Sequence, residues 1–431
     1  MFGKCISMKF VNLTEEEFTK YANNHEMGSF HQNVAWGKLK EYNGWVTHLV
    51  GVKDEKDNII AASLVLAKMT PIRKNMFYAP RGFLIDYSDK ELLKFFIDNL
   101  KKYAKKNKAI FIKFDPYVEY RQRDINGDVV KDGYNNSYVV DNLKELGCKH
   151  NGFNEMMEDM QPRYIFTLTT EGKTEEDIMK EMDAKTRQIL RKNEKMGVTV
   201  REIEGDELDK FHDIMEDTSS RREFVDRPMS YYMNMYDCFK KKDEIMVLLA
   251  EFNHENYIKS LKEDLEKEKQ FLASLNKNVD ENTNKNKLMK KTKNSEEIIA
   301  RLEKNIKEME QSKKDNGNVI SLGSILFMKT NNEVLSLVGG SYEKYMKFQS
   351  AYTTHFAGVK YALEHNMRRY NFYGITGNFD EKTNPFYGLY SFKRDFGGQV
   401  VELVGEFDII ISKFYFMAYN VAFKVYHKLK K

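Results

Sequence analysis

Residues 253–316 contain neither Gly nor Pro, are crowded with Lys and Glu, and carry their few apolar side chains at coiled-coil spacing. Ile258, Leu261, Leu265, Leu272 and Leu275 form one a/d ladder, interrupted at Glu268. After a polar run at 276–287, a second ladder holds Leu288, Ile299, Leu302, Ile306 and Met309, with Thr292 and Ser295 on the missing rungs. Two heptad helices joined by a polar turn predict an antiparallel helical hairpin, its arms of about 23 residues reaching roughly 34 Å. So narrow a seam buries too little area to stand alone, so the hairpin should project from a larger body. The long stretch before it and the shorter stretch after it must close around its base.

That body reads as mixed. Strand-like residues at 8–13 lead into Thr14-Glu15-Glu16-Glu17, a helix N-cap with acids in the first turn. A helix over 32–42 carries Trp36, strands follow at 46–52, 59–68 and 76–79, and a basic amphipathic helix covers 90–105. An apolar strand at 109–114 ends at Asp115-Pro116. From Tyr164 the order returns: a strand, a Glu-rich helix at 174–182, a basic helix at 184–195, a strand at 198–203 and a helix at 207–216. Strands at 245–252, 319–328 and 333–338 follow, and 400–407 closes the sheet. This predicts an α/β (α+β) chain of two halves sharing one architecture, 8–163 and 164–252 plus 317–411, with the arm at 253–316 and a basic, aromatic helix at 412–431.

Several function classes drop out. A formal charge of +4, from 69 basic and 65 acidic residues, does not mark a nucleic-acid binder by bulk charge. Cys5, Cys148 and Cys238 are scattered and odd in number, which fits a reducing compartment and neither a disulfide framework nor a zinc site. There is no P-loop and no G-x-G-x-x-G, and the nine histidines lack metal spacing. No loop of the R/Q-x-x-G-x-G/A type is present, which disfavours an acyl-CoA donor and acetyl transfer from it. No apolar h-region opens the chain and no long apolar run crosses it, so the expectation is a cytoplasmic protein.

Four signatures remain: Gln32-Asn33-Val34-Ala35-Trp36-Gly37-Lys38-Leu39-Lys40; Glu223 through Arg227-Pro228 to Tyr231-Tyr232; Gly339-Gly340-Ser341; and Tyr390-Ser391-Phe392-Lys393-Arg394-Asp395-Phe396-Gly397-Gly398. Together with Thr47-His48-Leu49-Val50-Gly51, Arg81-Gly82-Phe83-Leu84-Ile85-Asp86-Tyr87, Asp115-Pro116-Tyr117 and Arg369-Tyr370-Asn371-Phe372-Tyr373-Gly374, the chain resembles the Fem family of non-ribosomal peptidyltransferases, from Met8 onward. It is most similar to the members that carry a helical arm. The resemblance implies tandem acetyltransferase-like (GNAT) subdomains with an inserted antiparallel coiled-coil hairpin. It also implies a tRNA-dependent aminoacyltransferase that moves Gly, Ala or Ser from aminoacyl-tRNA to the stem-peptide amine of lipid II, at the inner membrane face. No cofactor is implied beyond the aminoacyl-tRNA co-substrate.

Residue by residue, the resemblance carries substrate-binding roles to Lys40, Arg227 and Tyr231, and a role at the aminoacyl ester to Lys393, beside Phe392. Arg would offer a planar fork to phosphate oxygens and Lys a point charge. The plainer reading puts Lys40 on a solvated helix face, pairs Arg227 with Asp226 or Glu223, and leaves Lys393 exposed in a basic loop. Asp115 is a candidate general base, against its use as a turn-former before Pro116; the tRNA's terminal ribose is the other route for the proton. Val338 stands where relatives without the arm have Tyr, so that contact is not carried over. Arg187, Arg191 and Lys195 share one helix face as a candidate tRNA surface. The tail reads equally as a helix at the membrane interface or one packed on the body. The arm's mixed charge points to protein pairing, with a second copy or a sister transferase. A competing class is a non-catalytic scaffold of the same fold that recruits cell-wall enzymes through its coiled coil.

Overall fold

The structure, a computed structural model, describes residues 7–156, 160–277 and 284–429. The first half runs β1 (Lys9–Asn12), α1 (Glu15–Asn24), α2 (Val34–Glu41), β2 (Val46–Lys53), β3 (Ile59–Met69), β4 (Asn75–Ala79), α3 (Lys90–Lys106), β5 (Ala109–Phe114), β6 (Glu119–Gln122), α4 (Ser137–Glu145) and β7 (Lys149–His150). The second runs β8 (Tyr164–Thr169), α5 (Glu175–Glu181), α6 (Ala184–Lys195), β9 (Val198–Glu202), α7 (Leu208–Arg222), α8 (Met229–Lys240) and β10 (Ile245–Asn253) to the arms α9 (His254–Lys277) and α10 (Lys285–Asn316). It returns through β11 (Val319–Lys329), β12 (Glu333–Ser341), α11 (Ser350–Glu364), β13 (Arg369–Ile375), α12 (Tyr387–Arg394), β14 (Gln399–Leu403), β15 (Phe407–Ile410) and α13 (Lys413–Leu429). Thr14 before α1 and Thr174 before α5 each exchange capping bonds with the acid three residues on, Glu17 and Asp177, so the predicted helix starts are set by side chains satisfying free N–H groups.

The halves repeat one topology. β1, β2, β3 and β4 are antiparallel neighbours, and β4 pairs in parallel with β5 after the crossover through α3. β9, β10, β11 and β12 do the same, and β12 pairs in parallel with β13 after α11. Helices α1 and α2 link the first two strands of one half, and α7 and α8 those of the other. One core is shared: Phe18, Trp36 and Leu39 of the first half bury with Phe211, Tyr232 and Phe239 of the second.

The sheets also exchange strands. The seven-stranded sheet has the order β1-β2-β3-β4-β5-β15-β7 and the eight-stranded sheet β6-β14-β8-β13-β12-β11-β10-β9. A division at 163/164 and 411 therefore follows chain order, not sheet membership. The one closing strand expected at 400–407 is two, because Gly405 adopts a positive φ of 90° and redirects the chain from β14 in one sheet to β15 in the other. Charge holds each exchange. Glu402 on β14 accepts from Arg123 Nε at 2.6 Å and from Arg163, and meets Arg121 at 3.4 Å. Burial pushes its carboxyl up, and the three guanidiniums outweigh that and hold it below the usual range. At the other crossing Lys113 on β5 meets Glu406 at 3.0 Å and Asp408 of β15 at 3.5 Å.

The arm stands where the first half has only the tight turn between β2 and β3. Ile258, Leu261 and Ile306 are buried in its seam, with Leu265, Leu302 and Met309 packed against them. The interruptions of the two ladders face each other, since Ser295 Oγ donates to Glu268 at 2.6 Å. The second arm is longer than expected, at 32 residues against 24 for the first. Asn284 caps it by accepting from the Lys287 N–H, so polar residues assigned to the turn enter the helix. The centre of that turn, 278–283, lies outside the described residues, as do residues 1–6 and the tail's Lys430 and Lys431.

Removing Glu402 leaves Arg163 buried and Arg123 half-buried without their carboxylate, so Glu402→Leu lowers the unfolding free energy by roughly 3–5 kcal/mol, measured by urea denaturation.

Candidate active site

Helices α2 and α8, equivalent in the duplicated topology, pack against each other. Asn33 caps α2 by accepting from the Ala35 N–H at 2.8 Å. This presents Trp36, buried against Phe30 and His31, with Lys40 one turn on. The Lys40 ammonium lies 4.0 Å from the Trp36 ring centroid and 6.0 Å from that of Tyr231. From the loop before α8, the Arg227 guanidinium stacks on the other partner, 5.5 Å from the Tyr231 centroid. Lys40, Arg227 and Tyr231 therefore form one cluster.

The plainer readings of these residues fail. Lys40 is half-buried, not solvated. Neither Lys40 nor Arg227 has an acidic partner among the described residues. Asp226 is turned away, accepting from Tyr232 Oη at 2.6 Å. Burial, then the charges of Arg227 and Lys68, bring the Lys40 amine down to about 8. The buried Trp36 indole N–H also finds no acceptor among the described residues. Like charges this close, with no carboxylate between them, suit an anion that supplies the missing charge.

Tyr373 connects this cluster to the layer between the sheets. It sits at a bulge in β13, where the register against β8 shifts between Asn371 and Gly374, and its φ of 65° is left-handed. A non-Gly residue held there stores strain of order 1–3 kcal/mol, a feature concentrated at functional sites. Its hydroxyl donates to Gln161 at 2.5 Å. Burial raises it to about 12, against the nearby Arg81 charge, with Asp115 and Tyr231 adding to the rise. Asp115, 3% exposed, accepts from Tyr78 Oη at 2.9 Å and the Arg81 N–H at 3.1 Å, and faces the Arg81 guanidinium at 3.3 Å. Burial lifts its carboxyl to about 7, opposed by Arg81 and assisted by Glu406. Arg81 in turn donates to the Pro162 carbonyl at 2.8 Å and stacks on Tyr117.

Lys393 and Phe392 lie on the other side of β13. Both are on α12, not in a loop, and Lys393 is 5% exposed, so the expectation of an exposed loop lysine is corrected. Phe392 and Tyr390 turn apolar faces to the sheet and carry Lys393 inward with them. Its ammonium donates to the Gly374 carbonyl at 2.7 Å, at the bulge, and meets no carboxylate among the described residues. Burial alone brings it down to about 7. His355 sits beside it among Tyr370, Phe372, Phe392 and Phe396, with Nδ1 2.7 Å from Tyr370 Oη. Burial and the Lys393 charge hold this imidazole down to about 3, so it is neutral.

The structure thus gathers Lys40, Arg227 and Tyr231, ties Asp115 to Arg81, and places Lys393 and Phe392 across the bulge that holds Tyr373. Tyr373, Arg81 and His355 are additions that sequence reasoning had not singled out. The signal for the first was the stretch Arg369-Tyr370-Asn371-Phe372-Tyr373-Gly374, which carries the family resemblance and runs into a glycine. Gly340 has a packing explanation instead: a Cβ there would lie 2.1 Å from Thr218 Oγ1 of α7. On the α6 face Arg187 is turned onto the Met179 and Met182 carbonyls and Lys195 pairs with Asp264 of α9 at 3.4 Å, while Arg191 is exposed with no ion pair among the described residues.

Against known proteins, residues 13–424 match the model of the FemAB family. The chain is 33% identical over 421 residues to aminoacyltransferase FemA of Staphylococcus aureus strain bovine RF122 / ET3-1, and equally to that of strain N315, spanning 97% of this chain and 99% of each relative. The crystal structure of FemX matches with a TM-score of 0.82 at 26% identity, over 95% of this chain and 99% of that one. The body is the tandem acetyltransferase-like fold anticipated from the sequence.

The buried lysine has a measurable consequence. In the unfolded chain Lys393 keeps its proton to 10.5, and in the fold it loses it at about 7. The fold therefore carries the whole burden of a buried charge below pH 7 and sheds it as pH rises toward 10.5. Lys393→Met should gain thermal stability relative to the parent at pH 6, with the gain shrinking by pH 10; equal differences at both pH values would contradict a charged, desolvated lysine.

Proposed function

This chain belongs to the FemAB family, and we propose that it is an aminoacyltransferase that takes an amino acid from aminoacyl-tRNA and attaches it to the stem-peptide amine of lipid II, building part of an interpeptide bridge. The carrying observation is the unpaired cationic cluster between α2 and α8, on a chain alike to FemA along its whole length. Lys40 and Arg227 hold the acceptor's diphosphate and Tyr231 spaces them. Asp115 positions Arg81, and its ion pair with that guanidinium favours the ribose as the proton's destination.

In the reaction the acceptor amine attacks the ester carbonyl of the aminoacyl-tRNA. A C–N bond forms, the ester C–O bond breaks, and the amine proton leaves with the ribose oxygen. Lys393, protonated, stabilises the oxyanion of the tetrahedral intermediate, and Phe392 keeps water from its ammonium. No acyl-enzyme is needed. Val338, in place of a Tyr, fits a lipid-linked acceptor. Lys262, Lys269 and Lys313 of the arm pair with Glu310, Glu303 and Glu255 within the arm, which favours a protein partner there, a second copy or a sister transferase, over tRNA phosphates.

Transfer is tested with labelled Gly-, Ala- and Ser-tRNA and lipid II; no transfer from any donor would refute the reading and leave the scaffold. In that assay Lys393→Ala should lower turnover by roughly 10²–10³ with little change in acceptor KM, whereas Arg227→Ala should raise acceptor KM roughly tenfold or more. Acceptor binding also depends on pH through Lys40, which is charged below about 8. A bound anion favours the charged form, so acceptor affinity holds below that value and declines as pH rises through it. Lys40→Arg, protonated throughout, should abolish the decline; a flat wild-type profile to pH 9.5 would take Lys40 out of the site.

A further inference from the structure

The C-terminal helix α13 has two apolar faces, and the body covers one. Phe416 is buried against Phe111, with ring centroids 5.1 Å apart, and Tyr419 lies 5.3 Å from the same ring and donates to the Met76 sulfur at 3.8 Å. Phe414, Met417 and Val421 face outward, 75%, 69% and 63% exposed. Their spacing of three and four residues puts them on one stripe of the helix. An exposed row of large apolar side chains calls for an occupant.

The charges around the stripe are of one sign. Every ionic side chain that the sequence places in α13 is a lysine, Lys413, Lys424 and Lys428, with no Asp or Glu among its 17 residues. On the body beside it, the Lys74 ammonium lies 5.0 Å from the Tyr415 ring and that of Lys149 5.7 Å from Phe416. A helix of this length reaches about 25 Å, short of a bilayer's hydrocarbon core, and no helix among the described residues is long and apolar enough to cross a membrane.

We propose that α13 is an interfacial helix that lies flat on an anionic lipid bilayer, with Phe414, Met417 and Val421 entering the acyl boundary and Lys413, Lys74 and Lys149 meeting lipid phosphates. Apolar insertion and cationic attraction together give reversible binding, where either alone is marginal. Such a surface would bring the enzyme to a lipid-linked acceptor, and in that respect it rests on the function proposed above.

The test is co-sedimentation of the full chain with vesicles free of lipid II, either phosphatidylcholine alone or an equal mixture with phosphatidylglycerol. The wild type should pellet with the mixed vesicles at least tenfold more strongly than with the neutral ones, and lose that preference in 0.5 M NaCl. The triple variant F414S/M417S/V421S, altered only on the exposed stripe, should lose at least tenfold in binding while keeping the wild-type melting temperature. Wild-type protein left in the supernatant with both vesicles would overturn the proposal. So would a dimer that the triple variant converts to monomer without vesicles, since a second copy would then cover the stripe. Because the vesicles contain no acceptor, binding is scored independently of transfer: vesicle binding without transfer would sink the function and spare the helix, and the reverse result would do the opposite.

Discussion

Glu402 and the three arginines around it are the constraint on which the arrangement of the halves depends. The carboxylate sits on β14, Arg121 and Arg123 come from the first half of the chain, and Arg163 stands at the junction. Buried charges contribute little net stability, because desolvation offsets most of their attraction. They are unforgiving about position, however, since any other docking would strand a charge in a low-dielectric layer. The layer continues through Glu333, which accepts from Tyr117 Oη at 3.0 Å, Asn371 Nδ2 at 3.1 Å and Arg369 Nε at 2.7 Å. One docking of the sheets satisfies all these groups, and that docking brings α2 against α8.

The duplication then explains where the site lies. In each half a helix pair follows the first strand, and the second helix of each pair meets its counterpart across the shared core. Lys40 ends one of these helices and Tyr231 begins the other. The cationic cluster is therefore a property of the tandem arrangement, and neither half alone would hold it. The arm obeys the same logic, as an insertion at a turn that the first half keeps short, and β10 and β11 stay paired up to its base.

Features legible in the sequence were those whose cause is local. The heptad ladders, the cap at Thr14, the start of the Glu-rich helix at 174 and the repeated element order each follow from neighbouring residues. Even the breaks at Glu268 and Ser295 were visible, though not that they face each other. What escaped depends on partners distant in sequence. The four residues of β6 are all half-buried and carry no alternation, so their place in the other half's sheet left no pattern. Lys393 looked like a loop residue because charges and glycines flank it; its burial comes from α12 docking on β8 and β13. Arg227 follows an aspartate that would be its natural partner, and only the reach of Tyr232 to Asp226 shows otherwise.

The bulge at Tyr373 and Gly374 lies between the cationic cluster and Lys393. A regular strand would present alternate side chains and tie up every backbone group in the ladder. The irregularity instead turns Tyr373 toward Arg81 and the cationic cluster, and leaves the Gly374 carbonyl to Lys393. Lys40, Arg227 and Lys393 share one condition: none has a carboxylate partner among the described residues. A carboxylate beside any of them would satisfy its charge at rest and blunt its response to a substrate anion. Burial does the opposite, bringing Lys40 and Lys393 toward neutrality; in the proposed reaction an arriving diphosphate or a forming oxyanion would be the group that makes full charge favourable. Electrostatic stabilisation of that kind is strongest where water is excluded and the donor is already fixed in place, and the helix that buries Lys393 together with the bulge that anchors it supplies both conditions.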